Sequence, residues 1–330
     1  MRSYILRRIV LIIPTLVIVT ILVFLVVRFV PGTVLDLMVS DHATESGQSF
    51  DVLKENLKKS LGLDVPVYVQ YGRWIGFLPQ NDGSFSGVLE GSLGNSLWTD
   101  RNIVTEIAKR IPISFELGII ALITAMLVAF PIGIYSAIRQ DTMGDYLGRS
   151  FSIILIAVPS FWIGTLVFIL PSLWWNWTPP IEYIPITKNF GRNVVQFLLP
   201  GIIMGSQMAG GTMRMTRTMM LEVLRQDYIR TAWSKGLKER AVIIRHALKN
   251  SLIPVVTIVG GQIPVLIGGS VIMEQIFVLP GIGRYMLDAI GQRDYPIISG
   301  VNLMMATVVM FAILMTDMSY AWLDPRIRYR

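Results

Sequence analysis

The chain has 330 residues, of which 53% are hydrophobic and only 15% charged, and its mean hydropathy is +0.57. Water-soluble domains carry about 25% charged residues, so a solvated surface over this much apolar chain is excluded, as is intrinsic disorder. The class that remains is an all-α polytopic membrane protein embedded in a lipid bilayer. A net charge of +7 fits basic loops that set membrane orientation and does not call for nucleic acid as a partner. There is no cysteine, which removes disulfides, thiolate metal sites and thiol catalysis.

A helix needs about 20 mostly apolar residues to cross the hydrocarbon core. Six stretches qualify: Ile9 to Val27, Ile113 to Ile138, Phe151 to Trp175, Val194 to Met213, Leu252 to Leu279 and Ile297 to Leu323. The first comes after Arg2, Arg7 and Arg8, but it is too long for a signal h-region and is read as a retained span. Pro131, Pro159 and Pro264 are expected to bend their spans, which a bundle tolerates.

Orientation is set by Lys and Arg in short loops. The N-terminal end, the loop with Arg139 and Arg149, the stretch 214–250 (nine Lys/Arg against three acids) and the tail with Arg326, Arg328 and Arg330 all fall on one side of six spans. The stretch 31–111, with ten acids against seven Lys/Arg, falls on the other. Both termini are therefore expected in the cytoplasm of a multi-pass protein of the cell's cytoplasmic (inner) membrane. The expected organisation is 1–30 as N-terminal end and first span, 31–111 as an extracytoplasmic segment, 112–323 as a core of five spans, and 324–330 as a cytoplasmic tail.

Within 31–111, residues 51–62 alternate Val52, Leu53, Leu57 and Leu61 with Lys54, Glu55, Lys58 and Lys59, which predicts a short amphipathic helix. Gly and Pro punctuate the residues after it, and a second short helix is expected over Ile103 to Arg110, before Pro112. The whole reads as a small cap. Two spans carry small residues at four-residue spacing: Gly201, Gly205 and Ala209, then Gly260, Pro264 and Gly268. Such stripes let helices approach closely. They and the deeper Gln207 and Gln262 are candidates for helix packing or for lining a path.

Catalytic motifs fail one by one. Gly205 to Thr212 has the glycine spacing of a phosphate loop but lacks its lysine and has no soluble strand before it. With only His42 and His246, a histidine-based metal site or proton relay has too few groups. Glu116, Glu274 and Asp317 lie near span ends, where an acid is solvated or paired at little cost. No catalytic residue and no metal site is assigned.

The stretch 217–252 is different. Leu221, Leu224, Tyr228 and Ala232 mark one helical face, with Arg225, Asp227, Arg230 and Lys235 around it. Gly236 interrupts. A second helix is expected to carry Ala241, Ile244, Ala247 and Leu248 on one face. The outcome is helix, glycine turn, helix, projecting into the cytoplasm.

Arg230-Thr-Ala-Trp-Ser-Lys-Gly236-Leu, followed by His246-Ala-Leu-Lys-Asn-Ser-Leu-Ile-Pro254, resembles the cytoplasmic loop of ABC importer permeases, in particular the dipeptide/oligopeptide/nickel branch. Gly91-Ser-Leu-Gly-Asn-Ser96, Pro280-Gly-Ile-Gly-Arg284, Arg293-Asp-Tyr-Pro296 and Leu323-Asp-Pro-Arg-Ile-Arg328 are similar to that branch too. The long segment after the first span resembles the first of the branch's two permease subunits. Against the general importer motif, Arg230 and Thr231 stand in the place of Glu and Ala, while Ala232, Gly236 and Leu248 are kept.

The resemblance implies a type I importer fold of six transmembrane helices with a small extracytoplasmic cap after the first. It implies a heterodimer with a second homologous permease subunit, two cytoplasmic ATPase subunits that bind ATP and Mg, and an extracytoplasmic solute-binding protein. This chain would bind no cofactor and would be a transport subunit, not an enzyme. ATPase coupling would fall to Asp227, Tyr228, Arg230, Thr231, Ala232, Lys235, Gly236 and Leu237. The alternative is a membrane-embedded enzyme or ion-gradient carrier, which would need titratable groups inside the bundle that the sequence scarcely offers.

Overall fold

The computed structural model describes residues 2–28, 51, 54–55, 58–59, 62–268 and 271–323. The helices are α1 (Arg2–Arg28), α2 (Val67–Ile75), α3 (Ile103–Ile138), α4 (Met143–Ala157), α5 (Ser160–Trp175) and α6 (Phe190–Leu224). They continue with α7 (Asp227–Ser234), α8 (Lys249–Gly268), α9 (Val271–Ile276), α10 (Ile282–Gln292) and α11 (Tyr295–Leu323). A helical lead-in, Glu239–Ala241 and then a π-helical stretch Val242–Leu248, runs into α8. Among the described residues the only β feature is an isolated bridge between Asn95 and Asn102. Helix is what a bilayer demands, because it satisfies every backbone N–H and C=O within the segment.

Among the described residues, four helical stretches are long and apolar enough to cross a membrane: Val10–Arg28, Ile103–Ile138, Phe190–Leu224 and Tyr295–Thr316. Two bent pairs raise the number to six if each is one span. In the first pair, α4 and α5 meet at 84°. Pro159 forces this: Val158 before it is held extended, with ψ 119°, so the helix stops and restarts. The span expected from Phe151 to Trp175, with its bend at Pro159, is thus two helices, and it starts earlier, at Met143. The second pair bends by 52° between Leu252 and Pro254. Here the expected span from Leu252 to Leu279 is α8 followed by the separate α9.

The expected short helix over 103–110 is the first two turns of α3. Pro112 lies inside this 36-residue helix and forfeits one hydrogen bond without stopping it. At 1.5 Å per residue α3 is about 54 Å long, well beyond the hydrocarbon core of about 30 Å. Of the helix expected over 51–62, Asp51, Lys54, Glu55, Lys58 and Lys59 are helical; Val52, Leu53, Leu57 and Leu61 lie outside the described residues.

The chain divides into two compact units. The first comprises 1–8, 112–283 and 308–330. Its organising feature is a seam of small residues between α3 and α6. Ala121, Ala125 and Ala129 are fully buried at four-residue spacing on α3, as is Ala209 opposite them on α6. Below them an added Cβ on Gly133 would come within 2.8 Å of the Met213 carbonyl. Around the seam, Ile113, Leu117, Phe197, Met204, Met273 and Phe277 form one apolar core. At the far end, Met220, Ile229, Val242 and Ala247 form another.

The second unit comprises 9–111 and 284–307. It contains α1 from Ile9 on, α2, a 3₁₀ turn at Val88–Glu90, irregular loops, the start of α3, α10 from Arg284 on and the first part of α11. Phe24, Tyr71 and Trp74 stack with centroids 5.2 to 6.3 Å apart, and the Arg28 guanidinium lies 3.5 Å over the Phe24 ring. Asp294, fully buried, accepts hydrogen bonds from the Ser96 hydroxyl (2.7 Å) and the Leu97 N–H (3.1 Å). Burial pushes its carboxyl above the usual carboxylate range, and these hydrogen bonds partly offset that.

Candidate functional site

The stretch 217–252 folds as two short helical pieces below α6. Helix α6 ends at Leu224; Gln226 is extended (φ −73°, ψ 148°) and starts α7. The expected continuous face from Leu221 to Ala232 is therefore broken. Each side of the break buries its own residues: Ile229 and Ala232 of α7 pack with Met220, Val242, Ala247 and Ala137. Tyr228, expected on the buried face, is exposed. Its hydroxyl accepts a hydrogen bond from the Asn250 side-chain N–H at 2.8 Å.

The rest of α7 faces solvent. Asp227 and Arg230 form an open pair at 3.4 Å, worth little to stability in that setting. The Thr231 hydroxyl donates to the Asp227 carbonyl at 3.0 Å. After Lys235 the chain reverses at Gly236, with φ +75°. Its N–H donates to the Trp233 carbonyl at 2.9 Å, closing the helix end. Nothing lies within 4 Å of where a Cβ would sit, so the left-handed conformation, not crowding, selects glycine here. The turn presents Trp233 and Leu237, 43% and 40% exposed.

The second helix departs from expectation. Winding as a π-helix, it buries Val242 and Ala247 and half-buries Ala241, Ile243, His246 and Leu248; of the expected face only Ile244 points outward, 50% exposed.

Above this loop sits a charge cluster that the sequence does not reveal. Asp145, fully buried on α4, receives two hydrogen bonds from the Arg217 guanidinium on α6, both 2.7 Å. The Asp141 backbone N–H donates to it at 3.0 Å, and the Ser136 hydroxyl on α3 donates to its other oxygen. One carboxylate thus ties α3, α4 and α6 together where α6 leaves the bundle. In sequence Asp145 looks like a loop acid and Arg217 like one more basic loop residue. Nothing in their spacing pairs them.

The small-residue stripes divide. Gly201 and Gly205 lie directly against Ile120, Ala121 and Thr124, so an added Cβ would fall on them. With Ala209 they build the α3–α6 seam. Gln207, on the same helix, is exposed. Gly260 is pressed against Thr316 of α11. Gln262 donates to the Thr212 hydroxyl at 3.3 Å, while its Oε1 is buried without a hydrogen bond among the described residues. Pro264 is half-buried inside α8; the surroundings of Gly268 lie outside the described residues.

Of the acids expected at span ends, Glu116 accepts from Asn193 at 3.4 Å. Glu274 is fully enclosed: Ser114 donates to it at 2.7 Å and Gly281 lies against its carboxylate. It is therefore not a solvated end residue. The Asp317 side chain is outside the described residues. No group of three or more His, Asp or Glu able to hold a metal ion occurs among the described residues.

Comparison with known proteins bears on this architecture directly. Residues 129–329 match the family described as "Binding-protein-dependent transport system inner membrane component", and residues 1–118 match its companion N-terminal family. The chain belongs to this permease family. It is 36% identical over 331 residues to the "Oligopeptide transport system permease protein AppB" of Bacillus subtilis, covering 100% of both chains. It is 34% identical over 353 residues to the "Dipeptide transport system permease protein DppB" of Escherichia coli K12, again covering 100% of both. A solved "amino acid ABC transporter with histidines" aligns at 10% identity and TM-score 0.47, over 68% of this chain and 94% of that one. The permease is a transport subunit of a binding-protein-dependent importer and a multi-pass membrane protein.

Proposed function

We propose that this permease forms half of the translocation path of a peptide importer and is driven through the turn at Gly236. Its partners in this reading are a second homologous permease subunit, an extracytoplasmic binding protein, and two cytoplasmic ATPase subunits that hold ATP and Mg. The peptide assignment draws on the names of the oligopeptide and dipeptide relatives. The observation that carries the coupling assignment is the two-sided character of α7. Ile229 and Ala232 are anchored in the permease's own core while Trp233, Leu237, Arg230 and Lys235 face outward. A rigid element anchored on one face and presenting an aromatic and an aliphatic side chain on the other is what a docking partner needs. In the same reading both termini and 217–252 are cytoplasmic and 31–111 is outside. Gln207 and Gln262 are the path candidates.

The absence of native cysteine makes two tests clean. In the assembled importer, Leu237→Cys is expected to cross-link to an ATPase subunit with a short thiol-directed reagent, whereas Ile153→Cys on α4 is not. A cross-link from Ile153→Cys alone would put the ATPase elsewhere. In intact cells an impermeant thiol reagent should label Asn81→Cys and spare Lys238→Cys; the opposite pattern means an inverted topology.

A further inference from the structure

A cleft of about 290 Å³ opens between α4 and α6, beside the Asp145–Arg217 pair and distinct from the α7 turn. Arg149, Arg214 and Arg217 line it, with Ser152, Thr218 and Ile153. Arg217 commits Nε and one terminal nitrogen to Asp145, which leaves its remaining terminal nitrogen for another acceptor. Arg149 stacks its guanidinium 4.5 Å over the Tyr146 ring. Its Nε is buried and makes no hydrogen bond among the described residues, with the Asp145 oxygen 3.6 Å away. Arg214 has no ion pair among the described residues and is exposed. Three guanidinium groups therefore line the cleft, two of them against Asp145 and one of those also acted on by Asp141, and the remaining excess of positive charge has donors to spare. The Thr218 hydroxyl donates to the Arg214 carbonyl at 3.0 Å and keeps acceptor capacity only, so the cleft's free donors are guanidinium N–H groups. Those match the oxygens of a phosphate.

Depth selects the source of that phosphate. Arg149 is six residues into α4, roughly 9 Å along its axis, which puts it at the boundary between headgroups and hydrocarbon if α4 starts at the aqueous surface. Beyond the arginines the cleft is walled by the outward Ile153, 63% exposed, and one turn further along α4 the surface continues apolar at Ile156, 42% exposed. A soluble anion would use the arginines and leave this wall uncovered. An anionic phospholipid uses both, with headgroup phosphate on the arginines and an acyl chain along α4. We propose that this cleft is a binding site for the headgroup of an anionic phospholipid, which bridges α4 and α6 where the Asp145 pair already joins them.

The test uses the complete importer in nanodiscs of phosphatidylcholine with a minor fraction of phosphatidylglycerol, and counts lipid retained on the complex by mass spectrometry after mild detergent extraction. Phosphatidylglycerol should be enriched over phosphatidylcholine on the native complex. Each arginine near a membrane surface contributes about 1 kcal/mol to anionic-lipid attraction, so Arg214→Gln should lower the enrichment about 5-fold, and Arg149→Gln with Arg214→Gln should abolish it. Arg139→Gln, an exposed arginine outside the cleft, should leave it unchanged. Equal retention of the two lipids by the native complex, a result that depends on no variant folding, overturns the proposal. Undiminished enrichment in the double variant overturns it as well. Displacement of the lipid by millimolar inorganic phosphate would make the site one for a soluble anion. Enrichment seen on the isolated permease but lost in the full importer would mean that a partner's acidic side chain fills the cleft.

Discussion

Gly236→Val is expected to abolish ATP-driven uptake while leaving the permease inserted and the ATPase subunits associated. Gly236 sits at φ +75° with open space around it, so the defect comes from backbone conformation. A β-branched residue in the left-handed region is a true outlier that costs about 1–3 kcal/mol. That is too little to unfold a membrane bundle but enough to move a two-residue turn to another conformation. The turn fixes where Leu237 stands relative to Trp233, because the Leu237 N–H and the Gly236 N–H both close back onto α7, at the Ala232 and Trp233 carbonyls. Releasing it separates the two outward side chains that the proposed partner would read together. Gly236→Ala should fall between Gly236→Val and the native chain. Lys235→Ala removes one exposed charge at the rim and should cost less than either. The readouts are substrate uptake and substrate-stimulated ATP hydrolysis in proteoliposomes, with co-purification of the ATPase subunits as control. Full uptake by Gly236→Val with the ATPase bound would show that this turn is not the coupling element.

The spans are legible in the sequence because burial in lipid imposes a long, unbroken apolar run, and no local preference overrides it. The breaks are harder to read. Pro112 and Pro159 are the same residue type, yet α3 runs through one and α4 stops at the other. What differs is the residue before: Val158 is extended, whereas Ile111 stays helical, and packing decides that choice. One half of the α3–α6 seam shows in the sequence as Gly201, Gly205 and Ala209. The other half, Ala121, Ala125 and Ala129, repeats the same four-residue spacing and is legible by the same rule.

The loop 217–252 is legible as helix, glycine, helix, because a left-handed residue leaves a glycine in the sequence. Its buried face differs from the sequence pattern in two places. A helical-wheel reading assumes 3.6 residues per turn through Arg225 and Gln226, where α6 has already ended, and through Val242–Leu248, which winds as a π-helix. Trp233 does not stand out in the sequence, because an aromatic on an amphipathic segment is ordinarily core; only its exposure in the structure makes it a candidate for the proposed contact. Asp145 with Arg217, and Glu274 with Ser114 and Gly281, are out of reach. Pairings across 72 and 160 residues are set by how helices pack, which periodicity does not encode.

Asp145→Ala is expected to be the most destabilising single change in the bundle. Asp145 is fully buried, and Arg217, whose side chain is only 17% exposed, would keep its charge with no carboxylate to receive its two 2.7 Å hydrogen bonds. Leaving one member of a buried ion pair uncompensated costs about 3–5 kcal/mol. The Ser136 hydroxyl and the Asp141 N–H would lose their acceptor at the same time, so α3, α4 and the short loop between them are released together. Asp145→Asn keeps the shape and one acceptor but opposes an amide N–H₂ to the guanidinium, and should recover little. Arg217→Lys keeps the charge but loses the two-pronged geometry and should be intermediate. The informative variant is the double one. In Asp145→Leu with Arg217→Met the two-pronged pair is gone, only the partly exposed Arg149 loses its 3.6 Å contact with Asp145, and much of the loss should be regained, as in other buried pairs replaced by apolar residues. Thermal unfolding of the detergent-solubilised importer, with limited proteolysis in the 139–142 loop, measures this ladder. A double variant as unstable as Asp145→Ala would mean that the hydrogen bonds from Ser136 and Asp141, rather than the ion pair, hold the three helices at this level.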